Sequence, residues 1–379
     1  MMTDSATGTI TSIEEAEHEP FMRRALELAE RGLGLVAPNP LVGAVVVSDG
    51  GIVGEGWHRG PGTPHAEAMA LSEAAGLARG ATLYVTLEPC AHRGRTPPCA
   101  PAVVGAGIAR VVTAVRDPNP LVDGRGFGIL LDSGVDVREG VLARRGRRLI
   151  DGFAKHIRTG LPFVTLKMAS SLDGRSAARD GSSRWITGEE SRRDVHRLRA
   201  ASGAVVVGAG TAVADDPSLT VRLDGYRGRP PVRVLVDGTG RTPSTGALFD
   251  RSAPTLVATT ARARPGSFES WREAGADVQV LGEERVSLGR LMAHLGRDRG
   301  IQAVLIEGGP TLAWSAVEEG IVDRLVLYLA AKLIGGNQAP GVLGGTGIRT
   351  IDEALSVRID EMEMLGGDVR LVGDVHRDR

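Results

Sequence analysis

Aromatic residues are scarce, 3% of a 379-residue chain, which argues against the stacking platforms that grip single-stranded nucleic acid. Net charge is nearly absent too: 45 Lys and Arg against 46 Asp and Glu leave −1, so no polyanion-binding surface is expected. No apolar run reaches the roughly 18 residues that a membrane-spanning helix needs. Met1–Pro20 is acidic, with Glu14, Glu15, Glu17 and Glu19, and lacks an apolar core, so it reads as neither a secretory signal nor a transit peptide. Only two cysteines are present, too few for a disulfide framework, and a reducing, cytoplasmic compartment is expected. What remains is ordinary for a soluble globular protein, 42% hydrophobic and 24% charged, at a length that predicts about two to three domains.

Both cysteines sit in one stretch, L87-E-P-C-A-H-R-G-R-T-P-P-C99, preceded by T63-P-H-A-E67. A His-x-Glu followed by Pro-Cys and a second Cys is the signature of the zinc deaminases. The residue types follow from the chemistry. His65, Cys90 and Cys99 supply a neutral imidazole and two thiolates, leaving one tetrahedral zinc position open for water. The metal would lower that water's pKa from about 15.7 to near 7. Glu67 is then the carboxylate outside the metal shell that moves protons to the ring nitrogen and the leaving ammonia. Two plainer readings compete. The cysteines could join His65 and His92 in a closed structural zinc site, or be buried thiols. The general signature has two residues between its cysteines; here A-H-R-G-R-T-P-P intervenes.

Apolar spacing predicts a helix over Phe21–Arg31, strands at 44–48 and 52–57, and a helix opened by Thr63 as N-cap with Pro64 at its first position. Strands at 82–87 and 110–115 alternate with helical segments, an α/β sandwich. D117-P-N-P follows the second, at the edge where open α/β sheets bind ligands. The basic A143-R-R-G-R-R148 and the residues after it read as a linker with a short helix. A second α/β unit begins at Pro162, with candidate strands near 163–169, 204–207, 232–237, 255–258, 278–281, 303–307 and 324–329. Two of them run into glycine turns, V207-G-A-G-T211 and E307-G-G-P-T311, where helix N-termini could take a phosphate. The first lacks the third glycine of a dinucleotide fingerprint, having Val213 there, so a standard Rossmann domain is not expected. By periodicity alone both turns could equally be structural.

Taken together, A37-P-N-P-L-V-G43, G62-T-P-H-A-E-A68, G80-A-T-L-Y-V-T-L-E-P-C90, G94-R-T-P-P-C99 and D117-P-N-P resemble the bifunctional deaminase/reductases of riboflavin biosynthesis. So do L166-K-M-A-S-S-L-D-G-R175, W185-I-T187, V207-G-A-G-T211, A214-D-D-P-S-L-T-V-R222 and I306-E-G-G-P-T311. The resemblance spans nearly the whole chain, and the long spacing between the cysteines is the form this family uses. It implies a cytidine-deaminase-like α/β sandwich followed by a dihydrofolate-reductase-like α/β domain. The expected layout is a disordered segment over 1–17, the zinc deaminase over 18–148, a linker over 149–161 and the reductase over 162–379.

The implied reactions are zinc-dependent deamination of 2,5-diamino-6-ribosylamino-4(3H)-pyrimidinone 5′-phosphate and NADPH-dependent reduction of its ribosyl group to ribityl. Residue by residue, the resemblance puts His65, Cys90 and Cys99 on zinc and Glu67 on proton transfer. It puts Ala169, Trp185, Thr211, Asp215 and Gly309, Pro310, Thr311, Leu312, Ala313, Trp314 and Ser315 on the cofactor. Ser183, Arg199, Leu219, Arg222 and Glu307 fall on substrate positions. Arg93 and Arg95 suit a phosphorylated substrate electrostatically. No residue choosing NADP over NAD is identifiable, and self-association into a homo-oligomer stays open. Competing readings are a nucleoside or tRNA-adenosine deaminase fused to an unrelated domain, and a regulatory protein with one inactive half. The few aromatics speak against the first, and the full ligand set against the second in its deaminase half.

Overall fold

The structure is a computed structural model that describes residues 8–9, 12–94 and 96–375. Its contacts divide at Thr159/Gly160 into two compact units.

The first unit runs β1 (Gly8–Thr9), α1 (Ser12–Glu30), β2 (Gly43–Ser48), β3 (Gly51–Trp57), α2 (Ala66–Ala74), β4 (Thr82–Leu87), α3 (Cys99–Gly105), β5 (Arg110–Val115), α4 (Arg125–Asp132), β6 (Asp136–Glu139) and α5 (Ala143–Thr159). Its six-stranded sheet has the order β1-β6-β5-β4-β2-β3, with β4, β5 and β6 parallel and the β2–β3 hairpin antiparallel. Strands β2, β4 and β5 are short, Val-rich or otherwise apolar runs buried on both faces, and side chains alternate between the faces. Ala44, Val46, Leu83, Val85 and Val111 pack under α2, α3 and α4. Val45, Val47, Tyr84, Val112 and Ala114 pack under α1. Helix α2 lies unusually close to β3. A Cβ on Gly56 would come within 2.1 Å of the Ala66 carbonyl, and one on Gly54 within 2.2 Å of that of Ala70. This close seat fixes the start of α2, and with it His65 and Glu67.

The expected N-terminal disorder over 1–17 is corrected for the described residues. Gly8 and Thr9 pair with β6, and α1 starts at Ser12; residues 1–7, 10 and 11 lie outside the description. Residues 149–161 are also not a free linker. As far as Thr159 they continue a 17-residue helix, α5, whose Leu149 and Ile150 cover Leu87 and Val115. The basic residues at its start obscure the apolar face that anchors it to the first unit.

The second unit runs β7 (Phe163–Ser171), α6 (Glu189–Ala200), β8 (Ala204–Gly208), α7 (Ala209–Asp215), β9 (Val232–Val236), β10 (Thr255–Thr259), α8 (Ser267–Glu273), β11 (Asp277–Val280), α9 (Leu288–Ala293), β12 (Ala303–Ile306), α10 (Pro310–Glu318), β13 (Arg324–Ala330), β14 (Val357–Leu365) and β15 (Asp368–Val375). Its sheet has nine strands in the order β11-β10-β9-β8-β12-β7-β13-β15-β14. It is parallel as far as β13, and β15 and β14 close it antiparallel. One face carries α9 and α10 over Leu166, Val206, Val234 and Ile306; the other carries α7 and α8 over Val205, Leu235 and Val257. Strands β14 and β15 have no counterpart in the sequence reading. Along the edge strand β14, Ile359, Met362 and Met364 are exposed, so no buried alternation marks it.

Candidate active sites

In the first unit the ligand candidates arrive from two helix starts and one strand end. His65 is extended just before α2 and acts as its N-cap without a side-chain cap bond. This corrects the expected Thr63 cap, because the Thr63 hydroxyl donates to the Gly60 carbonyl at 2.8 Å and belongs to the preceding turn. Cys90 follows the end of β4, and Cys99 opens α3. The His65 Nδ1 lies 3.3 Å from Cys99 Sγ and 3.6 Å from Cys90 Sγ, and the three ligand atoms all lie within 4.8 Å of one another. One imidazole nitrogen facing two sulfurs fits a zinc donor set. The Cys99 backbone N–H donates to Cys90 Sγ at 3.3 Å. On the far side of the ring, His65 Nε2 sits 3.1 Å from Thr96 Oγ1. With Nδ1 turned to the sulfurs, Nε2 is the nitrogen that carries the proton towards that hydroxyl.

Charge in this pocket is displaced at several groups: its bond to Cys90 and burial push the Cys99 thiol up. Glu67 is buried; burial, with help from the neighbouring Cys90, pushes its carboxyl up to about 7. Hydrogen bonding from the Cys99 thiol holds Cys90 down at about 4, against the opposing effect of burial. Its bond to Cys90 raises His65. His58 adds a second imidazole 5.3 Å from that of His65, edge to face, and Asn39 Nδ2 reaches its Nε2 at 2.9 Å.

Just ahead of Cys90, the buried carboxylate of Glu88 accepts backbone N–H bonds from Asp117 (3.2 Å), Gly124 (3.0 Å), Gly126 (2.9 Å) and Phe127 (3.3 Å). It ties the end of β4 to the loop carrying D117-P-N-P. The sequence reading missed Glu88, Thr96, Asn39 and His58. Glu88, Thr96 and Asn39 lay inside stretches already singled out, but without a role of their own; His58 lay outside them. Arg95 lies outside the described residues.

The second unit holds a cleft of about 1110 Å³. Ala169, Ser183, Trp185, Arg199, Thr211, Asp215, Leu219, Arg222, Glu307, Gly309, Pro310, Thr311, Leu312 and Ser315 all line it. Two expected cofactor residues do not. Ala313 faces inward from α10 into the core, and Trp314 packs on the main chain at Gly345. At the cleft floor Arg199 Nε and Nη2 meet Glu307 Oε1 and Oε2 at 2.6 and 2.9 Å, while Nη1 donates to the Thr220 carbonyl. Burial works to raise the Glu307 pKa, but the charge and hydrogen bonds of Arg199 outweigh it and hold the group ionised. Lys167 also lines the floor, and burial lowers its pKa, with Glu307 opposing. Among the described residues the Arg222 guanidinium bonds only hydroxyls, at Ser218 and Thr220, and its backbone N–H donates to His196 Nδ1 at 3.2 Å.

Residues 162–371 match the RibD C-terminal domain, and residues 15–115 match the cytidine and deoxycytidylate deaminase zinc-binding region. Among curated relatives, the riboflavin biosynthesis protein RibD of Escherichia coli K12 is 41% identical over 94% of this chain and 98% of its own. That of Bacillus amyloliquefaciens is 42% identical over 95% and 100%. Among solved structures, Acinetobacter baumannii RibD superposes with a TM-score of 0.82 at 39% identity, covering 96% of this chain and 100% of that one. The Thermotoga maritima diaminohydroxyphosphoribosylaminopyrimidine deaminase/5-amino-6-(5-phosphoribosylamino)uracil reductase does so at 0.81 and 36%, covering 96% and 99%.

Proposed function

Because the chain belongs to the RibD family of bifunctional riboflavin biosynthesis enzymes, a zinc deaminase joined to an NADPH-dependent reductase, we propose how its residues divide the two reactions. The substrate is a 2,5-diamino-6-ribosylamino-4(3H)-pyrimidinone 5′-phosphate. It loses its 2-amino group in the first unit, and its ribosyl group is reduced to ribityl in the second.

His65, Cys90 and Cys99 hold the zinc, which when bound supplies the Lewis acidity that makes water nucleophilic near neutral pH. Glu67 takes the proton from the attacking water and passes protons to the ring nitrogen and the departing amine. A buried carboxyl poised at about 7 exchanges a proton readily in either direction at neutral pH. His58 and Asn39 border the space beside His65 and orient the pyrimidine.

In the second unit, bound NADPH supplies the hydride. Ala169, Trp185, Thr211, Asp215, Gly309 to Leu312 and Ser315 hold it, with Ala313 and Trp314 supporting α10 from behind. Ser183, Leu219 and Arg222 face the substrate, and Arg222, whose guanidinium has no carboxylate partner among the described residues, takes the phosphate. Arg199, assigned to the substrate by resemblance, instead orients Glu307. Glu307 and Lys167 then position the ribosyl group as its ring opens to an imine.

The observation carrying the deaminase assignment is the single imidazole nitrogen facing two sulfurs beside a buried Glu67. Metal analysis and ammonia release test it. Wild type and Glu67→Gln should each hold about one zinc per chain, with Glu67→Gln slower by at least ~10²-fold. Cys99→Ser should lose the metal. Full turnover by Glu67→Gln would sink the assignment.

No helix among the described residues is long and apolar enough to cross a membrane. Two thiols adjacent without a disulfide support a reducing cytoplasm as the site of action. Exposed Ile359, Met362 and Met364 on the edge strand β14 support self-association, which a mass measurement in solution decides.

A further inference from the structure

We infer that Arg241 selects NADPH over NADH by receiving the cofactor's 2′-phosphate. The inference rests on the reductase reading above and adds the residue that sets its cofactor choice. Strand β9 ends at Val236, and Asp237-Gly-Thr-Gly-Arg241 turns back along the cleft, lined here by Asp237, Gly238, Thr239 and Arg241. In nucleotide folds, an acid after a strand commonly binds the ribose 2′-hydroxyl of NAD, whereas an arginine there accommodates the 2′-phosphate of NADP.

Asp237 cannot play the first part. Its side chain is buried at 1% exposure, and its oxygens accept the backbone N–H groups of Thr239, Gly240 and Thr242 at 3.2, 2.9 and 2.8 Å. It is spent on shaping the turn. Of the other cleft carboxylates, Glu284 faces Arg262 at 2.8 Å, Asp216 accepts the Ala247 N–H at 2.6 Å and Glu319 accepts the Gly289 N–H at 3.0 Å.

The cations of the cleft are mostly committed as well. Arg199 is locked on Glu307, Arg184 reaches Asp215, Arg192 donates to the Thr187 carbonyl while lying over Trp185, and Arg285 pairs with Glu318. Arg222 stands among the hydroxyls of Ser218 and Thr220. Arg241 makes no hydrogen bond or ion pair among the described residues, and its Nη2 would be 3.5 Å from a Cβ on Gly210. Its guanidinium therefore lies against the V207-G-A-G-T211 turn, across the cleft from nothing that neutralises it. A planar fork of donors beside a glycine-lined lip of the cleft matches a phosphomonoester bidentately.

Fluorescence titration of the full-length chain with NADPH and, separately, NADH tests this without turnover. Arg241→Ala should weaken NADPH about 10- to 100-fold, the scale of a lost charge-assisted phosphate contact, and leave NADH within about twofold. Arg241→Lys should fall between, keeping the charge but not the fork. Adenosine 2′,5′-bisphosphate should displace NADPH from the wild type and lose that advantage over 5′-AMP in Arg241→Ala. An unchanged NADPH-to-NADH ratio in Arg241→Ala would overturn the inference alone. A wild-type chain that bound neither nucleotide would overturn the reductase reading, and this inference with it.

Discussion

Arg199 and Glu307 meet fork to fork at 2.6 and 2.9 Å, almost wholly buried, joining α6 to the end of β12. A buried pair of this kind is weak support for stability while intact, yet removing one partner leaves an uncompensated charge. Arg199→Met should destabilise the second unit by about 3–5 kcal/mol, and Arg199→Met with Glu307→Leu should recover much of that loss. Denaturant unfolding of the three proteins checks it. If the single variant is as stable as wild type, the pair is not dry.

Lys167 gives the second unit a pH dependence with a definite sign. Burial lowers its pKa in the folded chain below the ordinary lysine value of 10.5. Through that window the unfolded chain binds more protons than the folded one, so stability contributed by this group rises as pH climbs towards 10.5. Lys167→Met should flatten the rise, as read from unfolding midpoints at a series of alkaline pH values. An equal slope in wild type and variant would refute it.

Thr96 faces the outer nitrogen of His65 at 3.1 Å. Thr96→Val should weaken zinc binding about 10- to 100-fold, as loss of an outer hydrogen bond to a ligating histidine commonly does. Thr96→Ser should restore it. Competition with a fluorescent chelator measures both. Wild-type affinity in Thr96→Val with a loss in Thr96→Ser would mean that the methyl group, not the hydroxyl, matters.

At the start of α10, a Cβ on Gly309 would lie 3.2 Å from Thr211 Oγ1, and a larger side chain would project into the lip of the cleft. Gly309→Val should abolish detectable NADPH binding while ammonia release continues. Normal NADPH titration would make the E307-G-G turn purely structural.

What could be read from the sequence was chemistry carried by residue type. His65, Glu67, Cys90 and Cys99 declare themselves because few other functions need those groups in that order. Glu88 does not, because its four partners lie on backbone between Asp117 and Phe127, where any sequence offers N–H groups. Resemblance put Arg199 on a substrate position, but its pairing with Glu307 was not legible, because that carboxylate is 108 residues away. A short helix was legible near the basic run, but not that the run opens a 17-residue α5 whose Ile150 supplies an anchoring apolar face. The edge strand β14 was hidden by exposure, since a strand with little to bury has no alternation to show.

The position of β7 has a consequence for the growing chain. It is the first strand of the second unit to be synthesised, yet it lies between β12 and β13, with Phe163 pairing to Ala303 and Thr165 to Arg324. A ribosome adding about 5–20 residues per second needs roughly 6–26 s to make the ~130 residues between β7 and its first neighbour. During that interval Val164, Leu166 and Met168 have no strand on either side, and the polypeptide between them must be kept from pairing elsewhere. In the first unit the two-residue β1 waits likewise for β6, but all the strands of that unit precede Gly160. Translation arrested between β9 and β12 therefore releases a finished deaminase trailing an open sheet, the form of this protein most exposed to aggregation and proteolysis.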